Sequence, residues 1–421
     1  MSRPGPRTSD LAERLRRYES HNVTFLAADF PVFWASARDA TVTDVDGNSY
    51  IDLTAAFGAA NAGHGNPSVV AAIEAQARRL MHGMGDVHPT EIRVQLLERL
   101  AGIVPQGLQK TFLASSGSEA IEAALKTAML ATGKAAFASY RGAYHGLSLG
   151  ALGVTGIERF RIPFAAALGT PPLLLDYPSA GSDVARAAAL ARDQLARRSD
   201  LAALLIEPIQ GRAGCIVPPA GYLAAMRGVC DELGILMIAD EIYTGFGRTG
   251  RWFAVDRERV VPDILCVGKA MGSGFPISAA IGRARVMDAW PISEGEALHT
   301  STHLGNPLGC AAALATIGEL ERLELPARAA RLGEVLGARL QRLRAVDGVA
   351  DVRGCGLFWA VQMSDERRAR AVVVRSLHEG VILLQSGEAG DAVTIAPPLT
   401  IGRPELDLAI GVLEGAVAAT A

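Results

Sequence analysis

The chain has 421 residues, of which 49% are hydrophobic and 20% are charged, a composition typical of soluble globular proteins. Its formal net charge of −3 gives no reason to expect binding to nucleic acid or to an anionic membrane. Because this length exceeds what one simple core accommodates, two domains, or one large and one small, are expected.

Targeting and redox signals are weak. No apolar run reaches the roughly 18–20 residues of a membrane span. The N-terminal MSRPGPRTSD lacks the apolar segment of a signal peptide and indicates a frayed leader. The cysteines are widely spaced, which argues against a disulfide framework or a zinc ribbon and suits the reducing cytoplasm. They are Cys215, Cys230, Cys266, Cys310 and Cys355.

One histidine pair has the spacing of a metal site. His299 and His303 are four residues apart, and on a helix both could contact one metal ion. The intervening TST and the following GNP favour a loop instead. No metal is therefore expected.

The predicted elements begin with a hairpin over ATVTDVDGNSYIDL 40–53, with DGN as its turn. Short apolar runs follow, and most are apolar throughout rather than alternating, as in strands of a mostly parallel sheet covered on both faces by helices. These runs are 111–115, 135–140, 172–177, 201–208, 235–241, 264–268 and 278–282. Helices are predicted between them at about 118–131, 219–233 and 307–322.

Beyond about residue 315 the pattern changes to long amphipathic helices, with further strands at 352–363 and 392–398. The prediction is an α/β protein with a large domain over 61–315. A small α+β domain would be assembled from both termini, with 1–60 and 316–421 contributing to it.

Three chemically suggestive features lie at predicted strand ends, where open α/β sheets bind ligands. In SSGSEA 115–120, the amides of Gly117 and Ser118 open a helix, where N–H groups and the helix dipole favour an anion such as phosphate. A plain helix cap is the alternative. In ILMIADE 235–241, Asp240 ends an apolar strand, and a buried carboxylate needs a positive partner. A surface acid is the alternative.

The third feature is Lys269, which directly follows the strand ILCVG. A free lysine titrates near about 10.4, and desolvation lowers that value until the amine can form a Schiff base. Alternatively, the lysine simply reaches water. Together, the three features point to a cofactor with a phosphate, a carbonyl and a protonatable ring nitrogen. Pyridoxal phosphate (PLP) has all three, and Asp240 would keep its ring nitrogen protonated.

The sequence resembles the class III aminotransferases, a group of fold-type I PLP enzymes that includes 4-aminobutyrate and ornithine aminotransferases. The likeness covers residues of about 30–415. It is carried, in the family's order, by GSEA, YHG 144–146, IEPIQG 206–211, ADEIYTGFGRTG 239–250, GKAMGSGFP 268–276, THLGNP 302–307 and PPLTI 397–401.

The resemblance implies a role for each matching residue. Lys269 forms the Schiff base and moves the proton during transfer, Asp240 pairs with the ring nitrogen, and Glu207 supports the site. Tyr144 and Ile242 cover the two faces of the ring. Cofactor contacts are also expected from Ser116, Gly117, Ser118, His145, Tyr243 and Thr302. Thr302 matches a threonine that reaches the phosphate in the neighbouring subunit, which implies a homodimer with shared active sites.

Several positions depart from the family pattern and bear on the substrate. Where relatives carry an arginine for the α-carboxylate of glutamate, this chain has Thr394, and where they carry the glutamate that neutralises it, this chain has Arg212. A further substrate arginine is replaced by Leu147. Tyr243 replaces a glutamine, and Phe57 is expected in the pocket. Arg212 either points to solvent or binds a carboxylate from a new direction.

The leading hypothesis is a cytoplasmic aminotransferase that moves an amino group from an amine or ω-amino acid to a keto acid or aldehyde. A racemase, epimerase or aminomutase is the alternative, because these reactions use the same lysine and need no keto acid acceptor. A cofactor-free binding protein is a third possibility, and the presence of both Lys269 and Asp240 argues against it.

Overall fold

The N-terminal segment folds onto the hairpin. The computed structural model describes residues 4–420, and its first helix is Pro6–Tyr18. The backbone N–H groups of Arg7 and Thr8 donate to the carboxylate of Asp46, in the hairpin turn. The predicted frayed leader is therefore wrong from Pro6 onward, and residues 1–3 lie outside the described residues.

The predicted hairpin over 40–53 is present, and one strand precedes it. Its turn is held by Asp44, whose side chain accepts hydrogen bonds from the backbone N–H groups of Asp46 and Asn48. These strands pair antiparallel. They are Trp34–Arg38 (β1), Thr41–Asp44 (β2) and Ser49–Asp52 (β3).

A seven-stranded sheet forms the centre of the molecule, in the order β4-β10-β9-β8-β7-β5-β6. Only β10 is antiparallel to its neighbours, and every residue of β7 to β10 is buried, as expected for a sheet covered on both faces. The predicted α/β class with a mostly parallel seven-stranded sheet is confirmed. Its strands are Lys110–Ala114 (β4), Ala136–Tyr140 (β5), Leu173–Leu175 (β6), Leu201–Ile206 (β7), Leu236–Asp240 (β8), Ile264–Val267 (β9) and Ser278–Gly282 (β10).

Further strands lie in the C-terminal part of the chain. They are Val349–Cys355 (β11), Phe358–Met363 (β12), Val381–Ile382 (β13), Leu384–Ser386 (β14) and Ala392–Ile395 (β15). A smaller sheet has the order β11-β12-β15-β14, whereas β13 pairs in parallel with β3 and so joins the two ends of the chain in one sheet. The strand predicted over 352–363 is instead part of a hairpin, because the chain reverses at Gly356, where φ is +54°. The domain boundaries stay a prediction.

Three helices occur close to their predicted positions, at Gly117–Thr132, Tyr222–Leu233 and Pro307–Arg322. The first begins with a capping box between Ser116 and Glu119, the chemistry that the sequence indicated. The other α-helices are Ala55–Gly58, Pro67–Arg79, Glu91–Ile103, Leu149–Val154, Glu158–Arg161, Val184–Ala196, Ala284–Met287, Leu325–Leu340, Glu366–His378 and Arg403–Ala418. Among residues 4–420, none of the helices could cross a membrane, and all five cysteines are free.

Candidate active site

A cavity of about 410 Å³ lies at the carboxyl ends of the central strands. It collects every site residue predicted from the sequence except Thr302. The predicted residues in its wall are Phe57, Ser116, Gly117, Ser118, Tyr144, His145, Leu147, Glu207, Arg212, Asp240, Ile242, Tyr243, Lys269 and Thr394. The wall also contains Gly146, Phe160, Gly211, Leu384 and Ser386, which the sequence did not single out.

Asp240, the last residue of β8, is only 5% exposed. One carboxylate oxygen accepts a hydrogen bond from the backbone N–H of Ile242 at 3.0 Å, and the other accepts one from Nδ1 of His145 at 2.8 Å. Arg248 is a nearby cation in the sequence, but it does not pair with Asp240. Its guanidinium instead donates to the carbonyl oxygens of Leu357 and Pro397.

The sequence missed that the partner of Asp240 within the protein is His145. The imidazole is buried, and burial lowers its pKa, but the hydrogen bond and charge of Asp240, with the charge of Glu207, outweigh this effect and raise the pKa. The fold thus places an imidazole of raised pKa directly against the Asp240 carboxylate. No sequence spacing links positions 95 apart, so only the fold reveals this pair.

Glu207 follows β7 and fixes two segments of the cavity wall. Its carboxylate oxygens accept hydrogen bonds from the backbone N–H groups of Tyr144 and Gly211, both at 2.9 Å. Burial raises the pKa of Glu207 to about 7. The residue therefore holds backbone in place, and it titrates close to neutral pH.

Lys269 lies just beyond β9, the neighbour of β8, so its amine and the Asp240 carboxylate line the same cavity. Burial lowers the pKa of the amine, although the charges of Asp240 and Glu207 oppose this shift. The backbone of Lys269 has φ of +43°, in the left-handed region that is unfavourable for a residue with a side chain. Such strain is typical of residues held in position for function.

The ring of Tyr243 covers the lysine. Lys269 Nζ lies 4.5 Å from the ring centroid, within cation–π range. The ring fits between two glycines, because a Cβ at Gly58 would lie 2.4 Å from it and a Cβ at Gly211 would lie 2.7 Å from it. Phe358 packs against Tyr243 with ring centroids 4.6 Å apart. The aromatic face thus occupies the position where the family resemblance predicts a glutamine.

The start of the Gly117–Thr132 helix forms another wall. Glu119 accepts hydrogen bonds from the backbone N–H groups of Ser115 and Ser116. The amides of Gly117 and Ser118 lie in the first turn of the helix and therefore have no acceptor within it. The Ser118 hydroxyl oxygen accepts from the backbone N–H of Leu147 at 3.2 Å, so its proton is still available to donate.

Apolar side chains surround the mouth of the cavity. Phe57 is 62% exposed, and it belongs to a run of four residues, Ala55 to Gly58, with positive φ. Leu147 is 50% exposed. Phe160 packs edge-to-face against Tyr144 with centroids 5.8 Å apart. No sequence pattern pointed to Phe160, because it lies in the short helix Glu158–Arg161, outside any recognisable motif.

Arg212 is half-buried and lines the cavity. Its Nη1 atom is buried and has no hydrogen-bond partner among the described residues. Burial and the charge of Arg159 lower its pKa. Thr394, on β15, hydrogen-bonds Ser386, on β14, with 2.6 Å between their hydroxyl oxygens.

Thr302 is exposed and does not line the cavity of its own chain. His299 and His303 lie in irregular structure rather than on a helix, as the sequence indicated.

The residues of the cavity fit PLP. Two amides and a hydroxyl at a helix start suit its phosphate, a buried carboxylate at a strand end suits its ring nitrogen, and an amine in the same cavity wall suits its carbonyl. Lys269 is half-buried, and its amine, which faces the Tyr243 ring, makes no hydrogen bond or ion pair with any described residue. The cavity thus contains an amine without a hydrogen-bond partner among the described residues, Lys269, and a carboxylate with one, Asp240.

Glu241, behind the cavity, gives a prediction about stability. Burial raises its pKa to about 7, whereas an exposed glutamate titrates near 4.5. Between these values the folded protein retains a proton that the unfolded chain has lost, so Glu241 lowers the free energy of unfolding as the pH rises from about 5 to 7. Melting temperatures of Glu241→Gln should fall less over this range than those of the unchanged protein. Equal slopes would contradict the prediction.

The fold and the cavity are those of a transaminase, and the chain belongs to the class III aminotransferases, whose family model matches residues 26–417. Among curated relatives, it is 40% identical to a putrescine aminotransferase of Pectobacterium atrosepticum, over 89% of this chain and 80% of that one. It is 37% identical to an acetylornithine aminotransferase of Methanopyrus kandleri, over 98% of this chain and all of the other. The predicted family and aminotransferase activity are confirmed.

Solved transaminase structures superimpose on most of the chain. An amine transaminase from an uncultivated Pseudomonas species, solved in its PLP-bound form, gives a TM-score of 0.88 at 33% identity, with 96% of this chain and 99% of the other covered. The omega transaminase from Pseudomonas jessenii, solved with PMP, gives 0.90 at 28% identity, with 97% and 98% covered.

Proposed function

We propose that the chain uses PLP, bound covalently by Lys269, to transfer the terminal amino group of an unbranched or apolar primary amine to a keto acid. The observation that carries this proposal is the presence of Lys269 and Asp240 in the wall of one cavity, at the ends of adjacent strands. Bound PLP supplies an electron sink that makes removal of the substrate's α-proton feasible.

The protein's own residues then have distinct tasks. Asp240, positioned by its hydrogen bond with His145, would hold a proton on the cofactor's ring nitrogen. Lys269, whose pKa is lowered by burial, is free to carry a proton to and from the substrate. The amides of Gly117 and Ser118 bind the phosphate, while Tyr144 and Ile242 confine the ring between them.

The donor class follows from the relatives and from the cavity mouth. Putrescine and acetylornithine both present a primary amine at the end of an unbranched carbon chain. Phe57, Leu147 and Phe160 offer apolar surface at the entrance of this cavity, which suits the carbon chain of such a donor.

We also propose a homodimer in the cytoplasm. Thr302 is exposed and lies away from the cavity of its own chain, so a second subunit would have to bring it to a phosphate. The five free cysteines suit a reducing compartment.

A donor screen tests the proposal. The PLP-loaded protein is mixed with putrescine, N-acetylornithine, a hydrophobic monoamine such as hexylamine, and alanine, and the absorbance of the bound cofactor is followed without an acceptor. We expect the terminal amines to convert the cofactor at least about 10-fold faster than alanine, because an apolar entrance discriminates by 1–3 kcal/mol. Faster conversion by alanine would contradict the proposed donor class.

The racemase and aminomutase alternative is separated by following nitrogen. A donor labelled with ¹⁵N is supplied together with unlabelled pyruvate. Transfer predicts ¹⁵N in the product alanine, with one alanine formed for each donor consumed. Label that stays in the donor skeleton while its configuration or amine position changes would support the alternative.

A further inference from the structure

Among residues 4–420, the positive charge of Arg212 is not compensated by any carboxylate within salt-bridge distance. Its Nη1 atom is buried and has no hydrogen-bond partner in this part of the chain. The charged group that acts on it most strongly is another cation, Arg159. A buried guanidinium without an anion is costly, so this arrangement is suited to an anion that arrives with the substrate.

Ser386 and Thr394 add hydrogen-bonding capacity to the same cavity. Their hydroxyl oxygens are 2.6 Å apart and both residues are buried. Two hydroxyl groups carry two protons, and their mutual hydrogen bond uses one of them. The other proton is free to be donated to an oxygen in the cavity.

The backbone links Arg212 to this hydroxyl pair. The N–H of Gly387, the residue after Ser386, donates to the carbonyl oxygen of Arg212 at 3.0 Å. The loop after β7 and the strand pair β14–β15 are therefore held together beside the cavity. The family resemblance places an arginine at the position of Thr394, on the strand. This chain instead has an arginine, Arg212, in the facing loop.

We propose that Arg212, together with the Ser386–Thr394 hydroxyl pair, binds the carboxylate of the keto acid acceptor. This inference rests on the proposed function, in which the donor is an amine that needs no carboxylate site. It deepens that function by dividing the cavity, with one polar subsite used by the acceptor and an apolar entrance used by the donor.

The test compares two acceptors that differ only in the carboxylate. Protein loaded with pyridoxamine phosphate is mixed with pyruvate or with propanal, and the return of the PLP absorbance is measured. Arg212→Gln should lower kcat/KM for pyruvate about 30-fold, the fold-change expected when hydrogen bonds to a charged group are lost. Its kcat/KM for propanal should change less than about 3-fold. Thr394→Val should lower the pyruvate value about 10-fold, again without affecting propanal.

Binding supplies a second readout that is independent of turnover. Propionate has the carboxylate but no carbonyl, and its Kd for the PLP-loaded protein is obtained by displacement of pyruvate or by calorimetry. We expect Arg212→Gln to weaken propionate binding about 30-fold. Arg159→Gln is the matched control, because Arg159 is a nearby cation whose Nη1 donates to the carbonyl oxygen of Glu388 at 3.0 Å. It should change each value less than about 3-fold.

Equal losses with pyruvate and propanal, or unchanged propionate binding in Arg212→Gln, would overturn the assignment. A failure of the proposed function would look different, because none of the tested amines would then convert the cofactor of the unchanged protein. If the unchanged protein accepts amines and Arg212→Gln fails to discriminate between the acceptors, only the acceptor subsite is refuted.

Discussion

Lys269→Ala is expected to reduce amino transfer by about 10⁴-fold, the upper range for loss of a positioned acid–base group. The variant loses both the covalent link to the cofactor and the proton carrier, and no other described amine lines the cavity. The measurement is single-turnover conversion of bound cofactor with putrescine. Residual activity within about 10-fold of the unchanged protein would contradict the assignment.

The small number of lysines makes a sharp control possible. The chain has four, Lys110, Lys126, Lys134 and Lys269. Lys126→Ala is the matched variant, because Lys126 is exposed and contacts only a surface histidine, and it should transfer amino groups normally. Borohydride reduction of the PLP-loaded protein followed by peptide mass analysis should find the reduced cofactor attached to Lys269 alone.

Asp240→Asn is expected to lower transfer by about 10³-fold, within the 2–5 kcal/mol cost of removing one partner of a buried charge pair. Asparagine has the same shape, and it can still accept the hydrogen bond from the backbone N–H of Ile242. It has no negative charge, however, and so does not favour a protonated ring nitrogen. The rate with putrescine and the Kd for PLP are measured together, so that loss of chemistry is distinguished from loss of cofactor.

Two comparisons make the Asp240 result interpretable. Asp240→Glu retains the charge and should recover part of the activity. Asp176→Asn removes an exposed acid that contacts only Arg141 at the surface, and it should behave as the unchanged protein does. Full activity in Asp240→Asn would show that the ring nitrogen needs no anionic partner here.

Much of the fold was predictable because its central strands are buried on both faces. Apolar runs such as 235–241 and 264–268 identify β8 and β9 within one or two residues. The edge was harder to predict. The run 172–177 gives only three residues of β6, because Pro171 and Pro172 lack backbone N–H groups and this strand has one neighbour.

Prediction failed where long-range contacts decide local structure. The Pro6–Tyr18 helix is held by the carboxylate of Asp46, about 40 positions away, which no local pattern reveals. The reversal at Gly356 divides one apolar stretch into β11 and β12. In both cases the sequence contained the turn or cap chemistry, but its effect depended on a distant partner.

In the cavity, too, local sequence patterns were predictive, whereas long-range contacts were not visible in the sequence. Lys269, Asp240 and Gly117 could be located because each lies at the end of a recognisable strand or the start of a helix. Two features could not be seen in the sequence, namely the His145–Asp240 pair and the slot that places the Tyr243 ring over Lys269. These contacts set pKa values and orientation, and they arise only when separate strands converge.

A crystal structure of the PLP-loaded protein would show whether Lys269 and Asp240 hold the cofactor between them. The proposal predicts continuous density from Lys269 Nζ to the cofactor, an Asp240 carboxylate oxygen about 2.7–2.9 Å from the ring nitrogen, and the phosphate at the amides of Gly117 and Ser118. A cofactor bonded to a different residue, or a ring nitrogen facing away from Asp240, would contradict it.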